Sequence, residues 1–213
     1  MKKLVIFPFN GNGVEALDCI DSNVFDFLGF VDDDTIKKSA DYPIFRREFL
    51  EKTPEVFLLA VPGSSLSYRE RKRIISSLPV RSSNRFVSIV HPTATIGNNA
   101  SIGFNCLIMA GVVITSNAQI GDHVCILPNS VIHHDSIVGE YSLIGSKVVV
   151  AGGTTIGKNC YVGSGSNIMN GIQVGDNALI GMGSNVLRNV EENRTVAGNP
   201  ARDLHINNYK ISL

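Results

Sequence analysis

The chain has 213 residues, 44% of them hydrophobic, with 19 basic and 19 acidic side chains. A balanced charge with no Lys/Arg cluster excludes a nucleic-acid or anionic-membrane surface, and no apolar stretch reaches bilayer-spanning length. Four scattered cysteines (Cys19, Cys106, Cys125 and Cys160) form no CxxC pair and read as reduced thiols of a cytoplasmic protein.

The first segment, Met1-Lys2-Lys3 followed by Leu4–Phe9, superficially resembles a signal peptide. Its apolar run stops at Pro8 with no small-residue cleavage site, so a first buried strand is predicted instead. Asn10-Gly11-Asn12-Gly13 makes a turn, and Val14–Ile20 has helical spacing. A second apolar run, Phe27–Val31, ends in Asp32-Asp33-Asp34. A third, Val56–Val61, precedes Pro62-Gly63-Ser64-Ser65 and a basic amphipathic helix around Ser67–Leu78. Strands alternating with helices predict a small, Rossmann-like α/β domain with a parallel sheet over residues 1–85. Ligands of such sheets bind at the carboxyl ends of the strands, beside helix N-termini. Gly11, Asn12, Gly13, Asp32 and Asp33 are therefore candidate contacts to a phosphate- or nucleoside-bearing ligand. A plain Asn-Gly turn and a solvated acidic loop are the alternatives.

Composition changes sharply near residues 82–88. Of the 38 charged residues, 24 lie in residues 1–82 and seven in residues 93–188. From Thr93 the chain reads in blocks of six, with Ile or Val at the fourth position of each. The sixteen anchors run without interruption from Ile96 and Ile102 through Ile132 and Val138 to Ile180 and Val186. The residue two before each anchor is small or aliphatic, and the residue after it is often glycine, as at Gly97, Gly103, Gly121 and Gly139. Glycine there suits either unusual backbone angles or close packing. Six residues make one short strand and one corner, and three blocks close a triangular coil. Neighbouring coils then stack roughly 4.8 Å apart as parallel sheets. Residues 86–213 are accordingly assigned to a β-helix and its tail.

Two histidines interrupt this repeat at one corner, in Ile132-His133-His134-Asp135-Ser136. Both follow the anchor and are predicted to point outward. Histidine is the natural general base near neutral pH, and an adjacent carboxylate fixes its tautomer and supports the imidazolium. Gly152 follows His134 by three blocks, which places it one coil away on the same edge. The run Ala151-Gly152-Gly153 leaves a thioester room to approach, and the Gly152 N–H is a candidate oxyanion donor. A polar surface corner with turn glycines is the bland alternative.

The repeat strongly resembles the hexapeptide-repeat acyltransferase superfamily, which implies a left-handed β-helix. With His134, Asp135 and Gly152 in place, both halves of the chain resemble the nucleotide-sugar N-acetyltransferases of the sialic acid O-acetyltransferase-like group. In that group His134-Asp135 corresponds to the catalytic base and its acidic partner, and Gly152 to the residue whose amide faces the thioester carbonyl. Gly29-Phe30-Val31-Asp32-Asp33-Asp34 resembles the strand ending where acidic residues meet the nucleotide base. Val196-Ala197-Gly198-Asn199-Pro200-Ala201-Arg202 resembles the closing segment beside the coenzyme's adenine end, with Arg202 available to a phosphate.

The resemblance implies acetyl-CoA as co-substrate, no metal, a homotrimer, and a nucleotide-linked 4-amino-4,6-dideoxy sugar as acceptor, with His133 near it. The sequence departs from the group at three places. Pro8 and Asn12 replace a glycine and a histidine of the opening loop, Leu143 replaces a second histidine, and Leu127-Pro128-Asn129 replaces an Asn-Thr pair. The expected chemistry is direct attack of the sugar amine on acetyl-CoA. O-acetylation of a sugar hydroxyl such as that of a sialic acid, and a non-enzymatic sensor on a trimeric scaffold, are the rival readings. A zinc γ-carbonic anhydrase is disfavoured, because His123, His133 and His134 lack its HxxxxH spacing. His91, His123 and His205 read as structural or peripheral.

Overall fold

The computed structural model describes residues 1–204. His205, read from the sequence as structural or peripheral, lies outside the described residues. Four strands, β1 (Lys2–Phe7), β2 (Phe25–Val31), β3 (Ile44–Phe45) and β4 (Phe57–Ala60), form a parallel sheet in the order β3-β2-β1-β4. The expected strands are all present. The turn at Asn10–Gly13 proves to be the first turn of α1 (Gly11–Glu15) itself, because Asn10 Oδ1 caps it by accepting the Gly13 N–H at 2.8 Å. The predicted basic helix is shorter than its pattern: a 3₁₀ turn at Tyr68–Glu70 leads into Arg71–Ser76, which follows α2 (Glu48–Lys52) as α3.

Period-two alternation on the central strand decides what lies on each side of the sheet. Val5 and Phe7 point to one side and pack with Leu50 of α2 and Ile75 of α3. Leu4 and Ile6 point to the other and share a core with Leu107, Cys125 and Leu143 of the β-helix. The β-helix therefore covers much of the sheet's side opposite α2 and α3. Leu143 is 2% exposed at this junction, so its apolar side chain serves packing between the two halves.

The β-helix is built from two-residue strands, β5 (Ile89–Val90) to β21 (Asn185–Val186), on three parallel faces. Paired residues on each face are one coil apart, as in Cys125↔Leu143↔Tyr161 on the first, Val113↔Val131↔Val149 on the second and Gln119↔Ile137↔Thr155 on the third. The anchors from Ile108 to Val186 form one buried core. The glycines after the anchors are explained by close packing: a Cβ at Gly121 would lie 2.8 Å from Glu140 N of the next coil. Left-handed backbone sits two residues further on, at Asn99, Asn117, Asp135 and their equivalents, every sixth position. Asparagine tolerates that conformation better than other residues with a Cβ, which accounts for its frequency there.

One corner column fastens the sheet domain to the β-helix. Asn105, His123, Tyr141, Asn159 and Asn177 stack one per coil between the third and first faces. The Asn105 amide pairs both ways with the Ala60 backbone, at 2.7 and 2.8 Å. Arg71, 1% exposed, donates to the carbonyls of Tyr141, His123 and Pro62. Tyr68 and Arg69 both reach the Asn177 carbonyl. His123 stacks on Tyr141 at 4.5 Å between ring centroids and bonds Asn105 through Nδ1 at 2.9 Å. Read from the sequence as structural or peripheral, His123 is structural and buried.

Among the described residues Arg71 has three carbonyl partners and no carboxylate, so removing it leaves buried acceptors unpaired. Arg71→Ala is expected to cost about 3 kcal/mol or more in urea unfolding. Burial lowers the His123 pKa from 6.5 to about 4. The folded state thus resists a proton that the unfolded chain accepts, and stability is lost as pH falls from about 6.5 towards 4, by up to about 3 kcal/mol. Urea midpoints should drop across that window in the native chain and drop less in His123→Phe.

Candidate active site

The corner between the second and third faces carries the histidine pair. His133 ends the second face, half-buried, with its N–H bonded to Val150 O at 2.9 Å. His134 follows, exposed, and Asp135 takes the left-handed turn with φ +59°. That turn places the Asp135 carboxylate beside its own neighbour's ring, and Oδ2 lies 2.8 Å from His134 Nδ1. Asp135 Oδ1 accepts from Asn117 Nδ2 at 2.9 Å. The bond from His134, and then that from Asn117, hold the Asp135 carboxyl below the usual carboxylate range. An ionised carboxylate only accepts, so Nδ1 carries the hydrogen and neutral His134 presents its lone pair at Nε2.

Gly152 lies one coil on, directly against this ring. A Cβ there would stand 2.5 Å from Nε2 and 2.6 Å from Cε1 of His134. The sequence accounts for Gly152 by clearance for a thioester; the structure adds that the glycine makes room for the imidazole. Gly153 N–H donates to His134 O at 2.9 Å, fixing the backbone between the two coils, and Ala151 N–H donates to Ile168 O. Among the described residues the Gly152 N–H makes no hydrogen bond, whereas those on either side do. Ser136 is buried and donates to Ala151 O at 3.0 Å, so it is no nucleophile. Beyond Asp135 the corner column continues as Gly153 and Gly171, and a Cβ at either would meet nothing within 4 Å. Among the described residues nothing fills the corner beyond the histidine.

The other candidate residues lie elsewhere. Gly13 is buried against the Pro8 carbonyl, while Gly11 and Asn12 line the exposed first turn of α1. Asp32, expected from the sequence as an open ligand contact, is 5% exposed and bonded within the domain to Phe9 N–H at 3.0 Å, Asp34 N–H at 2.9 Å and Lys37 Nζ at 2.8 Å. Asp33 pairs with Arg47. These carboxylates hold the loop after β2 in shape, a role the acidic run alone does not reveal. Gly198 has φ +104° and donates to Ser184 Oγ at 3.1 Å, and Arg202 lies exposed in a hollow that also contains Arg188 and Arg194. The sheet domain covers the first face, whereas His134 stands on the opposite corner. One chain does not bring its α1 loop to its own His134. Asn117 is the site residue that sequence reasoning missed, and its signal was the same one-coil spacing.

The left-handed β-helix behind a small parallel α/β sheet is a known architecture. Its repeat, the bacterial transferase hexapeptide (six repeats), matches residues 99–134, 117–152, 135–170 and 153–188. The acetyltransferase domain of PglB from Neisseria gonorrhoeae FA1090 superposes with a TM-score of 0.82 at 22% identity, covering 96% of this chain and 100% of that one. PerB from Caulobacter crescentus, solved in complex with CoA and GDP-perosamine, gives 0.84 at 21% identity, over 96% and 97% of the two chains. WeeI from Acinetobacter baumannii AYE gives 0.66 at 20% identity, over 95% and 99%. At these identities the likeness establishes the shared fold across both halves. No curated protein matches the chain.

Gly152→Ala tests the geometry directly. The methyl group must displace the His134 ring, which is exposed and free to leave, so thermal stability is expected to hold. A crystal structure of the variant should find the imidazole turned away from Asp135 Oδ2.

Proposed function

We propose that the protein is an acetyl-CoA-dependent N-acetyltransferase that acetylates the amine of a nucleotide-linked 4-amino-4,6-dideoxy sugar. The observation that carries this reading is the His134–Asp135 pair, bonded at 2.8 Å and lying against Gly152 on an open corner. The CoA and GDP-perosamine bound to PerB support the two substrate classes.

In the reaction the neutral sugar amine attacks the thioester carbonyl. His134 Nε2 takes the proton that the amine loses, and Asp135 stabilises the imidazolium through Nδ1–H. The Gly152 N–H donates to the oxyanion as the carbonyl becomes tetrahedral. Collapse of that intermediate expels the coenzyme thiolate, which His134 reprotonates. No acyl-enzyme is needed. Leu143 is buried at the domain junction, so the step runs on His134 without a second histidine there.

The coenzyme follows the open corner past Ala151, Gly153 and Gly171, and its phosphate end meets Gly198 and Arg202. The nucleotide sugar enters at Gly11 and Asn12 of the α1 loop, with His133 beside the acceptor. Because that loop lies across the coil from His134 of its own chain, the site is completed by a second copy. Val113, Val131 and Val149, in register on the second face and half-buried, support a homotrimer with the coenzyme between neighbours. Among the described residues no helix is long and apolar enough to cross a membrane. Water-soluble substrates suit a cytoplasmic reaction.

Thiol release from acetyl-CoA, measured with a panel of UDP-, dTDP- and GDP-linked 4-amino sugars, tests the proposal. Turnover on one of them is expected, falling at least about a hundredfold in His134→Ala. Acetyl-CoA binding without turnover on any amine would instead favour a hydroxyl acceptor, and absence of acetyl-CoA binding would overturn the enzyme assignment.

A further inference from the structure

We infer that Asn117 is a positioning residue for His134, acting through Asp135; the inference rests on the reading of His134 as the base. Asn117 lies one coil before Asp135 on the same corner, and both hold left-handed backbone, φ +61° and +59°. Equal backbone conformation in stacked coils points the two side chains the same way, with Asn117 directly under Asp135. Its Nδ2 donates to Asp135 Oδ1 at 2.9 Å, leaving Oδ2 for His134 Nδ1 at 2.8 Å. Its own Oδ1 faces Asn99 Nδ2 at 3.4 Å, which sets the amide orientation: oxygen towards Asn99, NH₂ towards Asp135.

The need for such a bond follows from exposure. Asp135 and His134 side chains are 58% and 60% exposed in the chain, so packing does not hold the carboxylate in place. An Asp side chain turns freely about two bonds, and water competes for both oxygens. Asn117 occupies one oxygen and so fixes where the other points. The ladder of polar side chains runs Asn99, Asn117, Asp135 and then stops at Gly153, so it ends under the imidazole. Its result is a defined tautomer. Free neutral imidazole favours hydrogen on Nε2, which would hide the lone pair needed for proton abstraction; a fixed Asp135 Oδ2 holds the hydrogen on Nδ1.

The test uses the full-length protein and Asn117→Gly, which keeps the left-handed corner unstrained and deletes only the side chain. Asn99→Gly is the control, since it removes the 3.4 Å contact but leaves the 2.9 Å bond. Ring ¹⁵N shifts of His134, recorded at a pH where the ring is neutral, report the tautomer without any substrate. Nδ1–H is expected in wild type and in Asn99→Gly, with a shift towards Nε2–H in Asn117→Gly. In turnover, kcat should fall about tenfold in Asn117→Gly with both KM values within about twofold of wild type. An unchanged His134 tautomer in Asn117→Gly, or an equal change in both variants, overturns the assignment. If wild type acetylates no amino sugar, the functional reading falls, and the ring shifts still decide whether Asn117 positions His134.

Discussion

The constraint on which the rest depends is vertical register between coils. Because each coil closes in three blocks of the repeat, every side chain lies above its equivalent in the coil before, and parallel pairing repeats that relation on all three faces. Small deviations would not be absorbed, since the glycines after the anchors leave no room for a Cβ against the next coil's backbone. The stack is thus tight enough to behave as a ruler. Columns of side chains at the corners inherit its precision, and each of the functional arrangements in the molecule is such a column.

Two columns do opposite work. Between the third and first faces, the Asn105 and Asn159 amides bond the sheet domain's backbone, and the His123, Tyr141 and Asn177 carbonyls accept from its Arg71 and Tyr68 side chains. Here a buried arginine without a carboxylate partner is tolerated because three carbonyls converge on it. Between the second and third faces, Asn99, Asn117 and Asp135 point to solvent and end at glycines. The first column makes a rigid joint. The second leaves a polar arm with an imidazole at its tip and open space above it. Rigidity at one corner and access at the other come from the same repeat, differing only in what is placed at the left-handed position.

Separation of the two regions also has a consequence for assembly. A sheet domain docked on the first face cannot share a pocket with a histidine on the opposite corner of its own coil. In the proposed enzyme, whatever the α1 loop holds would meet His134 through another copy, and the apolar second face beside that corner is the surface such a copy would cover. Catalysis and oligomerisation are therefore coupled in the proposed enzyme by the triangular cross-section itself.

The sequence by itself determined the β-helix, its coil length and the place of the histidine pair. A hexad pattern sustained over sixteen blocks constrains fold and register together, and register carries His134 to Gly152. It also determined the parallel sheet, through three apolar runs separated by turn residues. Only tertiary structure decided what polar side chains do when several geometries suit them. The acidic run after β2 reads as a ligand contact or a solvated loop, and only the fold shows Asp32 bonded inward to Phe9 and Lys37. His123 reads as structural or peripheral, and only the fold shows it buried in a stack with Tyr141. Asn117 is not singled out by the sequence, yet it bonds the acid beside the candidate base. Apolar periodicity is local and averages over many residues, so one chain suffices to read it. A hydrogen bond depends on a single partner brought close by the fold, and no local pattern encodes which partner that is.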